Sequence, residues 1–265
     1  MPIEPIDDPK DPRLADYHEL REPELRRKRG LFAVEGRLLV ERLLTASRFR
    51  ARSVLATPGM ATALAPALEA AAVPAWIASH DLIRAVVGFP FHRGAVALGE
   101  RGEPMPVDTL LDARTLVVLE GLADPENVGG VMRSARALGA GGILMAPGVA
   151  DPLGRKAIRV SAGAALSLPF VGATGWPDEL ARVRAAGFTL LALTPDRHAG
   201  EISSVPLPSD ARVALLVGAE GEGLSAAARA LADVEIRIAM APGVDSLNVV
   251  VAAGIALHHL RTRLH

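Results

Sequence analysis

The second part of the chain alternates apolar runs of strand length with segments of helical period. The apolar runs are TLVVL (115–119), GILMA (142–146), TLLAL (189–193), VALLVG (213–218) and VEIRIA (234–239). Helical segments lie near Val128 to Leu138 and from Pro177 to Ala186, and a final helix begins near Ser246. This alternation predicts an α/β fold with parallel strands joined by crossover helices. In such sheets a ligand usually lies beyond the carboxyl ends of the strands.

The first part of the chain has a different pattern of apolar residues. A helical period runs through Leu31, Val34, Leu38 and Leu39. Short β-like runs follow at 53–56 and 75–78, which indicates a small α/β domain. The polar stretch Gly99 to Pro106, GERGEPMP, predicts a linker. We therefore expect an N-terminal domain at 13–98 and a parallel-sheet domain at 107–265.

Composition excludes several classes of protein. The chain contains no cysteine, which rules out disulfides, thiolate metal sites and cysteine nucleophiles. The start, MPIEPIDDPKDP, lacks the basic-then-apolar order of a secretory signal, and the apolar run Val249 to Leu257 is half the length needed to cross a bilayer. His258 and His259 have no third ligand spaced with them, so no metal site is expected. A cytoplasmic protein without a membrane span fits these features.

Charge is distributed unevenly along the chain. The formal net charge is −1, but the segment from Arg13 to Ser53 has eleven Lys or Arg against six Asp or Glu, a balance of +5. It contains a basic cluster of four consecutive residues, Arg26, Arg27, Lys28 and Arg29. Such a cluster either attracts a polyanion or is a solvated helix face with pairs such as Glu22 and Arg26. Charge alone leaves both interpretations open.

A glycine-rich stretch, LLVGAEGEGLS (215–225), follows an apolar run. Gly218 and Gly223 have the spacing of a P-loop, but Leu224 occupies the lysine position and Glu220 would repel phosphates. Its glycines fall at relative positions one, four and six, whereas a dinucleotide-binding turn needs one, three and six. A nucleotide-dependent enzyme is therefore disfavoured. The stretch either lets backbone approach an uncharged or cationic group closely or is a structural turn.

A second motif, DPENVGGVMRSARALGA, reads as a loop followed by a helix. Asn127 can cap this helix. The guanidinium of Arg133 is expected to project from the first half of the helix, near its positive N-terminus, where an anion such as a phosphate could be held bidentately. The alternative is a surface arginine paired with Glu126 or Glu120.

A third motif, RIAMAPGVDSLNVVVAAGIALHHL, follows the last predicted strand. The strand is expected to end near Met240, and Ser246 or Asp245 can cap the helix that follows. Asn248 is the unusual residue, because a polar amide in the first turn of an apolar helix is costly to bury without partners. It is therefore exposed, satisfied by the turn, or part of a site.

Taken in chain order and at these separations, DPENVGGVMRSARALGA, LLVGAEGEGLS and IAMAPGVDSLNVVVAAGIAL resemble the three signature motifs of the SpoU family of RNA ribose 2′-O-methyltransferases. The segment RVSAGAALSLPF between them is similar to a further segment of the family. RRKRGLFAVEGRLLVERLL and GFPFHRG are similar to its substrate-binding domain, so the resemblance extends from about Arg13 onward. One departure is Ala239, where the family usually has proline before methionine. That change affects the rigidity of the turn more than the activity.

The resemblance implies a fold, a cofactor and a substrate. The fold is a C-terminal α/β domain with a deep trefoil knot, in a homodimer, with a small N-terminal α/β domain that binds RNA. The cofactor is S-adenosyl-L-methionine, and the reaction is 2′-O-methylation of a ribose in structured RNA, with ribosomal RNA preferred. The alternatives are a transfer RNA target, or an RNA- or ribosome-binding factor without turnover. The intact residues Arg133, Glu220 and Asn248 argue against the second alternative.

The resemblance also implies roles for individual residues. Arg133 matches the family's essential arginine; because arginine is always protonated, we expect it to anchor a substrate phosphate and orient the hydroxyl. The other polar positions, which would orient substrate and loops, are Asn127, Glu220, Ser246 and Asn248. The positions that would contact the cofactor, mainly through backbone and apolar surface, are Gly218, Ile238, Met240 and Leu247. The expected phosphate contacts of the RNA-binding domain are Arg26, Arg27, Lys28 and Arg29.

Overall fold

The computed structural model describes residues 3–18, 20, 25 and 29–264, and the chain forms two compact units. The first unit contains Met1–Glu103 and Leu153–Ser167, and the second contains Pro104–Pro152 and Leu168–His265. The boundaries expected from the sequence, 13–98 and 107–265, remain predictions. They did not place the segment Leu153–Ser167 with the first unit.

The secondary structure follows in chain order. The strands of the described residues are β1 Ile3–Pro5, β2 Leu31–Glu35, β3 Ala51–Ala56, β4 Ala75–Ile77, β5 Ala95–Glu100, β6 Thr115–Leu119, β7 Gly142–Met145, β8 Phe170–Gly172, β9 Phe188–Leu193, β10 Gly200–Glu201, β11 Arg212–Val217 and β12 Val234–Arg237. The α-helices are α1 Arg37–Thr45, α2 Pro58–Ala71, α3 His80–Val87, α4 Pro125–Ala137, α5 Arg155–Val160, α6 Ala164–Ser167, α7 Asp178–Ala185, α8 Ala226–Leu231 and α9 Val249–Leu264.

The second unit contains a seven-stranded sheet. Its strand order is β10-β12-β9-β11-β6-β7-β8, and every pair of neighbours is parallel. All five residues of the interior strand β6 are buried, on both faces of the sheet. Strands buried on both faces read as continuous apolar runs, which is why the sequence revealed them. The predicted parallel-sheet α/β domain is confirmed.

The first unit contains a five-stranded mixed sheet. Its order is β1-β4-β3-β5-β2; β1, β4 and β3 run parallel, and β5 is antiparallel to both of its neighbours. The helical period expected from Leu31 onward is wrong for the first five residues, which form β2. Gly36, at φ +92°, separates this strand from α1, and Leu38 is 55% exposed, so it does not share a buried face with Leu31.

The predicted linker begins later than expected. Gly99 and Glu100 belong to β5, and the two units meet in the chain between Glu103 and Pro104. Gly99 is not a turn signal, because a Cβ at this position would lie 2.3 Å from Cζ of Phe32, the partner-strand residue packed against it. The glycine therefore serves close packing inside a strand. No helix among residues 3–18, 20, 25 and 29–264 is long and apolar enough to span a membrane.

Candidate functional site

The glycine loop, residues 218–225, follows β11 in the second unit and folds back on itself. A Cβ at Gly218 would lie 2.3 Å from the carbonyl carbon of Gly223, so only glycine fits there. Ala219 and Gly223 exchange backbone hydrogen bonds of 3.2 and 3.1 Å. Gly221 and Gly223 have positive φ angles of 89° and 71°. Since two of its amides bond within the loop, the loop is not built as a phosphate cradle, in line with the sequence argument.

This loop forms one wall of a pocket of about 490 Å³ in the second unit. All four residues expected to contact a cofactor line it, namely Gly218, Ile238, Met240 and Leu247. Three of the expected catalytic residues line it as well, namely Glu220, Ser246 and Asn248. The structure therefore brings the glycine loop and the third motif together at one cavity, at the carboxyl ends of β9 and β11.

A single carboxylate joins all three motifs. Glu220 Oε1 accepts a hydrogen bond from Asn127 Nδ2 at 3.2 Å and another from Asn248 Nδ2 at 3.2 Å. The two amides come from the start of α4 and from the residue before α9. Because each amide donates to the same oxygen, the carboxylate fixes the position of both helix starts relative to the glycine loop.

The helix caps differ from those expected. Asp124 caps α4, with its Oδ1 accepting from Glu126 N at 2.9 Å, so the predicted cap at Asn127 is wrong and its amide is left for Glu220. Asn248 caps α9: its Oδ1 accepts from Val250 N at 2.9 Å and its carbonyl accepts from Ala252 N at 3.0 Å. Ser246 and Asp245 are not the cap.

With this geometry established, comparison with known proteins identifies the family. Residues 114–258, more than half of the chain, match the model of the SpoU rRNA Methylase family. The chain belongs to the SpoU family. The match contains the second motif, the whole glycine loop, the third motif up to His258 and every residue that lines the pocket. The resemblance read from the sequence is confirmed.

Relatives of the SpoU-family chain cover most of its length. An uncharacterized tRNA/rRNA methyltransferase of Mycobacterium bovis is 41% identical over 269 residues, covering 99% of this chain and 93% of the relative. A 23S rRNA (guanosine-2′-O-)-methyltransferase of Ralstonia nicotianae is 32% identical over 196 residues, covering 72% of this chain and 78% of the relative. The crystal structure of the SpoU methyltransferase AviRb from Streptomyces viridochromogenes, in complex with AdoMet, is similar with a TM-score of 0.78 and 26% identity. The similarity covers 96% of this chain and 98% of that chain.

Arg133, the residue expected to be essential in a SpoU enzyme, lies outside the pocket. It is the ninth of the 13 residues of α4, so the expected position in the first half of the helix is wrong. The helix begins one turn earlier than Asn127 suggested. Its side chain is exposed and, within the described residues, makes no hydrogen bond or ion pair, so the alternative pairing with Glu126 or Glu120 is not formed.

Glu120 organises the end of the glycine loop, a role that the sequence did not predict. It follows β6, and its carboxylate accepts three hydrogen bonds: from Trp176 Nε1 at 2.7 Å, from Ser225 N at 2.8 Å and from Ser225 Oγ at 2.8 Å. Ser225 ends the glycine loop and caps α8. Glu120 thus ties the far end of the loop to β6. A carboxylate directly after a buried strand was the available signal.

Several residues that line the pocket were not predicted either. The end of β9 and the two residues after it, Leu193, Thr194 and Pro195, line the pocket, as does Asp245. TLLAL is a predicted strand, and ligands in parallel sheets lie beyond the carboxyl ends of strands. That rule predicts Leu193, Thr194 and Pro195 as lining residues. Ala239, the departure from the SpoU pattern, is exposed and does not line the pocket, whereas its neighbours Ile238 and Met240 do.

Of the predicted basic cluster, the structure describes Arg29 alone. Arg26, Arg27 and Lys28 lie outside the described residues. Arg29 is exposed; its Nη1 donates to the carbonyl of Ala15 at 3.1 Å and lies 3.8 Å from Asp16 Oδ1. The RNA-binding role of the cluster remains a prediction.

Proposed function

We propose that this protein transfers a methyl group from S-adenosyl-L-methionine to a ribose 2′-hydroxyl of ribosomal RNA. One observation carries the proposal: in a SpoU-family chain, Glu220 binds Asn127 and Asn248 at the edge of a pocket lined by the glycine loop. The relative from Ralstonia nicotianae is named for 2′-O-methylation of 23S rRNA, which favours ribosomal RNA over transfer RNA as the target.

The pocket suits the proposed cofactor in size and chemistry. Its volume of about 490 Å³ lies within the range typical of small-molecule sites. Val217, Ile238 and Leu247 provide apolar surface, and Gly218 presents bare backbone. The carboxylates nearby disfavour a phosphate-bearing cofactor and favour a cation. When bound, S-adenosyl-L-methionine would supply a methyl group activated by a positively charged sulfur.

The protein's own task in this reaction is alignment. Methyl transfer is an in-line displacement, so rate depends on holding the hydroxyl, methyl carbon and sulfur in one line. Glu220, fixed by two amides, would hold the loop wall rigid, and Asn248 would keep α9 in place beside it. Rigid placement matters because an error of about 1 Å in such an arrangement can cost about 100-fold in rate.

Arg133 would hold the RNA. Its guanidinium is exposed and unpaired within the described residues, so it is available to an incoming anion. A guanidinium matches a phosphate in a bidentate geometry and keeps its charge at all accessible pH values. We therefore assign Arg133 to anchoring the phosphate next to the target ribose and orienting its hydroxyl, and not to accepting the proton.

We extend the proposal to a deep trefoil knot in the second unit, a homodimer and a cytoplasmic location, all of which the family resemblance implies. The first unit would bind the RNA substrate.

The test is methyl transfer itself. Purified protein is incubated with radiolabelled S-adenosyl-L-methionine and ribosomal or transfer RNA, and the methylated ribose is mapped. We expect incorporation at one nucleotide of ribosomal RNA. Arg133→Ala should lower turnover at least 100-fold while cofactor affinity, measured by calorimetry, changes less than threefold. Arg136→Ala, an exposed arginine on the same helix, is the matched control. Near-normal turnover in Arg133→Ala would overturn its assignment.

A further inference from the structure

A second pocket, of about 300 Å³, lies entirely within the first unit. One side is formed by β2 and α1 through Ala33, Glu35 and Leu39, with Arg93 beside them. The other side is formed by α5, the helix that the chain inserts between β7 and β8. Its contributing residues are Arg155, Lys156, Ile158 and Arg159. The pocket shares no residue with the site described above.

Positive charge dominates this basic pocket. Four lining residues are cationic, and Glu35 is the only carboxylate among the residues that line it. Glu35 Oε2 lies 3.8 Å from Arg155 Nη2, and its side chain is only 16% exposed. The Arg155 guanidinium also lies over the ring of Phe89, 3.4 Å from its centroid. This carboxylate is directed at Arg155, whereas Arg93 and Arg159 are exposed and make no ion pair within the described residues.

The cations are held by well-packed backbone. Arg155 and Arg159 are four residues apart on α5, so they share one face of the helix. Ser161, which is buried, donates from Oγ to the carbonyl of Ile158 at 2.9 Å and fixes the end of the helix. The Arg93 side chain packs over Gly36, where a Cβ would lie 3.1 Å from Arg93 Cδ. A helix therefore places Arg155 and Arg159, whereas Arg93 lies in the loop before β5 and packs over Gly36.

We propose that this basic pocket binds a backbone phosphate of the RNA substrate, and this inference rests on the proposed function. Guanidinium groups arranged around a cavity match phosphate oxygens in bidentate geometry. The uncharged lining residues Ala33, Leu39 and Ile158 are aliphatic and offer no aromatic ring on which a base could stack. The site therefore reads the sugar–phosphate chain and not the base sequence.

This role explains an oddity of the chain. The segment Leu153–Ser167 lies within the SpoU-matched range, yet it packs with the first unit. Three of the four cations of the basic pocket come from this segment. Arg48 N donates to the carbonyl of Leu166 at 2.9 Å, which helps to fasten the segment there. The inserted segment thus completes an anion site that the first 103 residues alone would lack.

Salt-dependent RNA binding tests the proposal. The double variant Arg93→Gln/Arg159→Gln removes two exposed cations of the pocket, and Arg84→Gln is the matched control. Arg84 is exposed, lies on α3, and is 4.0 Å from Asp81. Affinity for ribosomal RNA is measured by electrophoretic mobility shift at salt concentrations from about 50 to about 200 mM, a range over which phosphate contacts strongly change affinity.

We expect the double variant to bind RNA about tenfold more weakly and to lose roughly 0.7 to 0.9 from the slope of log K against log salt, the signature of one phosphate contact. Its melting temperature and cofactor affinity should match those of the wild type and of Arg84→Gln. An unchanged slope and affinity would overturn the proposal. So would loss of inorganic phosphate binding, measured by calorimetry, with RNA binding intact, because the site would then serve a free anion.

Binding is measured without turnover, so the two proposals fail separately. Wild-type protein that binds RNA through this pocket but methylates nothing contradicts the proposed function alone. Wild-type protein that methylates RNA, with an unaffected double variant, contradicts the pocket alone.

Discussion

Gly218→Ala is the sharpest perturbation of the proposed cofactor site. The added Cβ would lie 2.3 Å from the Gly223 carbonyl carbon, 2.4 Å from Leu224 N and 2.7 Å from Gly223 O. All three neighbours are backbone atoms, so no side chain can rotate away. Ordinary contacts of this kind begin near 3.4 Å, so the loop must move by about 1 Å.

That movement has a definite cost and direction. Overpacking a tight site typically costs about 1 to 3 kcal/mol, and here it pushes Gly223 and Leu224 away from β11. The two backbone hydrogen bonds between Ala219 and Gly223 would be strained together with it. Because Gly218 and Gly223 both line the pocket, we expect at least a tenfold loss of cofactor affinity, equivalent to about 1.4 kcal/mol.

The assay combines calorimetry with thermal unfolding. Gly218→Ala should bind S-adenosyl-L-methionine at least tenfold more weakly and melt roughly 2 to 10 °C lower than the wild type. Gly172→Ala is the control, because a Cβ at this strand residue meets nothing within 4 Å. It should change stability by less than about 0.5 kcal/mol. Wild-type cofactor affinity in Gly218→Ala would refute the packing argument.

Two further substitutions probe the polar contacts around the loop. Glu120→Gln replaces one carboxylate oxygen with an NH₂ group, so a donor would face the donors of Trp176 or Ser225. We expect a loss of about 1 to 3 kcal/mol in the free energy of unfolding and altered Trp176 fluorescence. An unchanged unfolding curve would contradict this. Asn248→Ala removes the cap of α9 and should cost about 1 kcal/mol, measured by chemical unfolding. Asn248→Asp keeps the capping oxygen but places a second carboxylate against Glu220, so it should lose methyl transfer while melting close to wild type. Wild-type methyl transfer in Asn248→Asp would show that the cap alone matters.

The sequence predicted the second unit well for a physical reason. Strands buried on both faces are continuous apolar runs, and the pocket residues follow directly after such runs. What it did not predict was pairing across distance. The contact between Asn127 and Glu220 joins residues 93 positions apart, and no local period encodes it. The order of the seven strands was not predictable either, because an apolar run identifies a strand but does not identify the strands that pair with it.

The errors at helix ends and in the first unit have local causes. Asn127 and Asp124 are both good capping residues, and choosing the later one placed Arg133 in the wrong half of α4. The apolar residues of Leu31–Glu35 happen to be in phase with those of the following helix. Gly36 is the one sequence signal that the strand ends and the helix begins there. The segment Leu153–Ser167 is short and alanine-rich, so its pattern shows that it is buried but not which unit buries it.

The distribution of charge links both proposals. Glu220 lines the proposed cofactor pocket, and Asp245 lines it too, whereas Arg133 does not. An enzyme that joins a cationic cofactor to a polyanionic substrate benefits from keeping the two charges apart, because a cation in the cofactor pocket would repel the sulfonium and attract RNA phosphate into the wrong site. The cations that would hold RNA lie instead on the exposed face of α4 and in the basic pocket of the first unit. Moving an arginine into the cofactor pocket would therefore harm methyl donor binding more than it could help RNA binding.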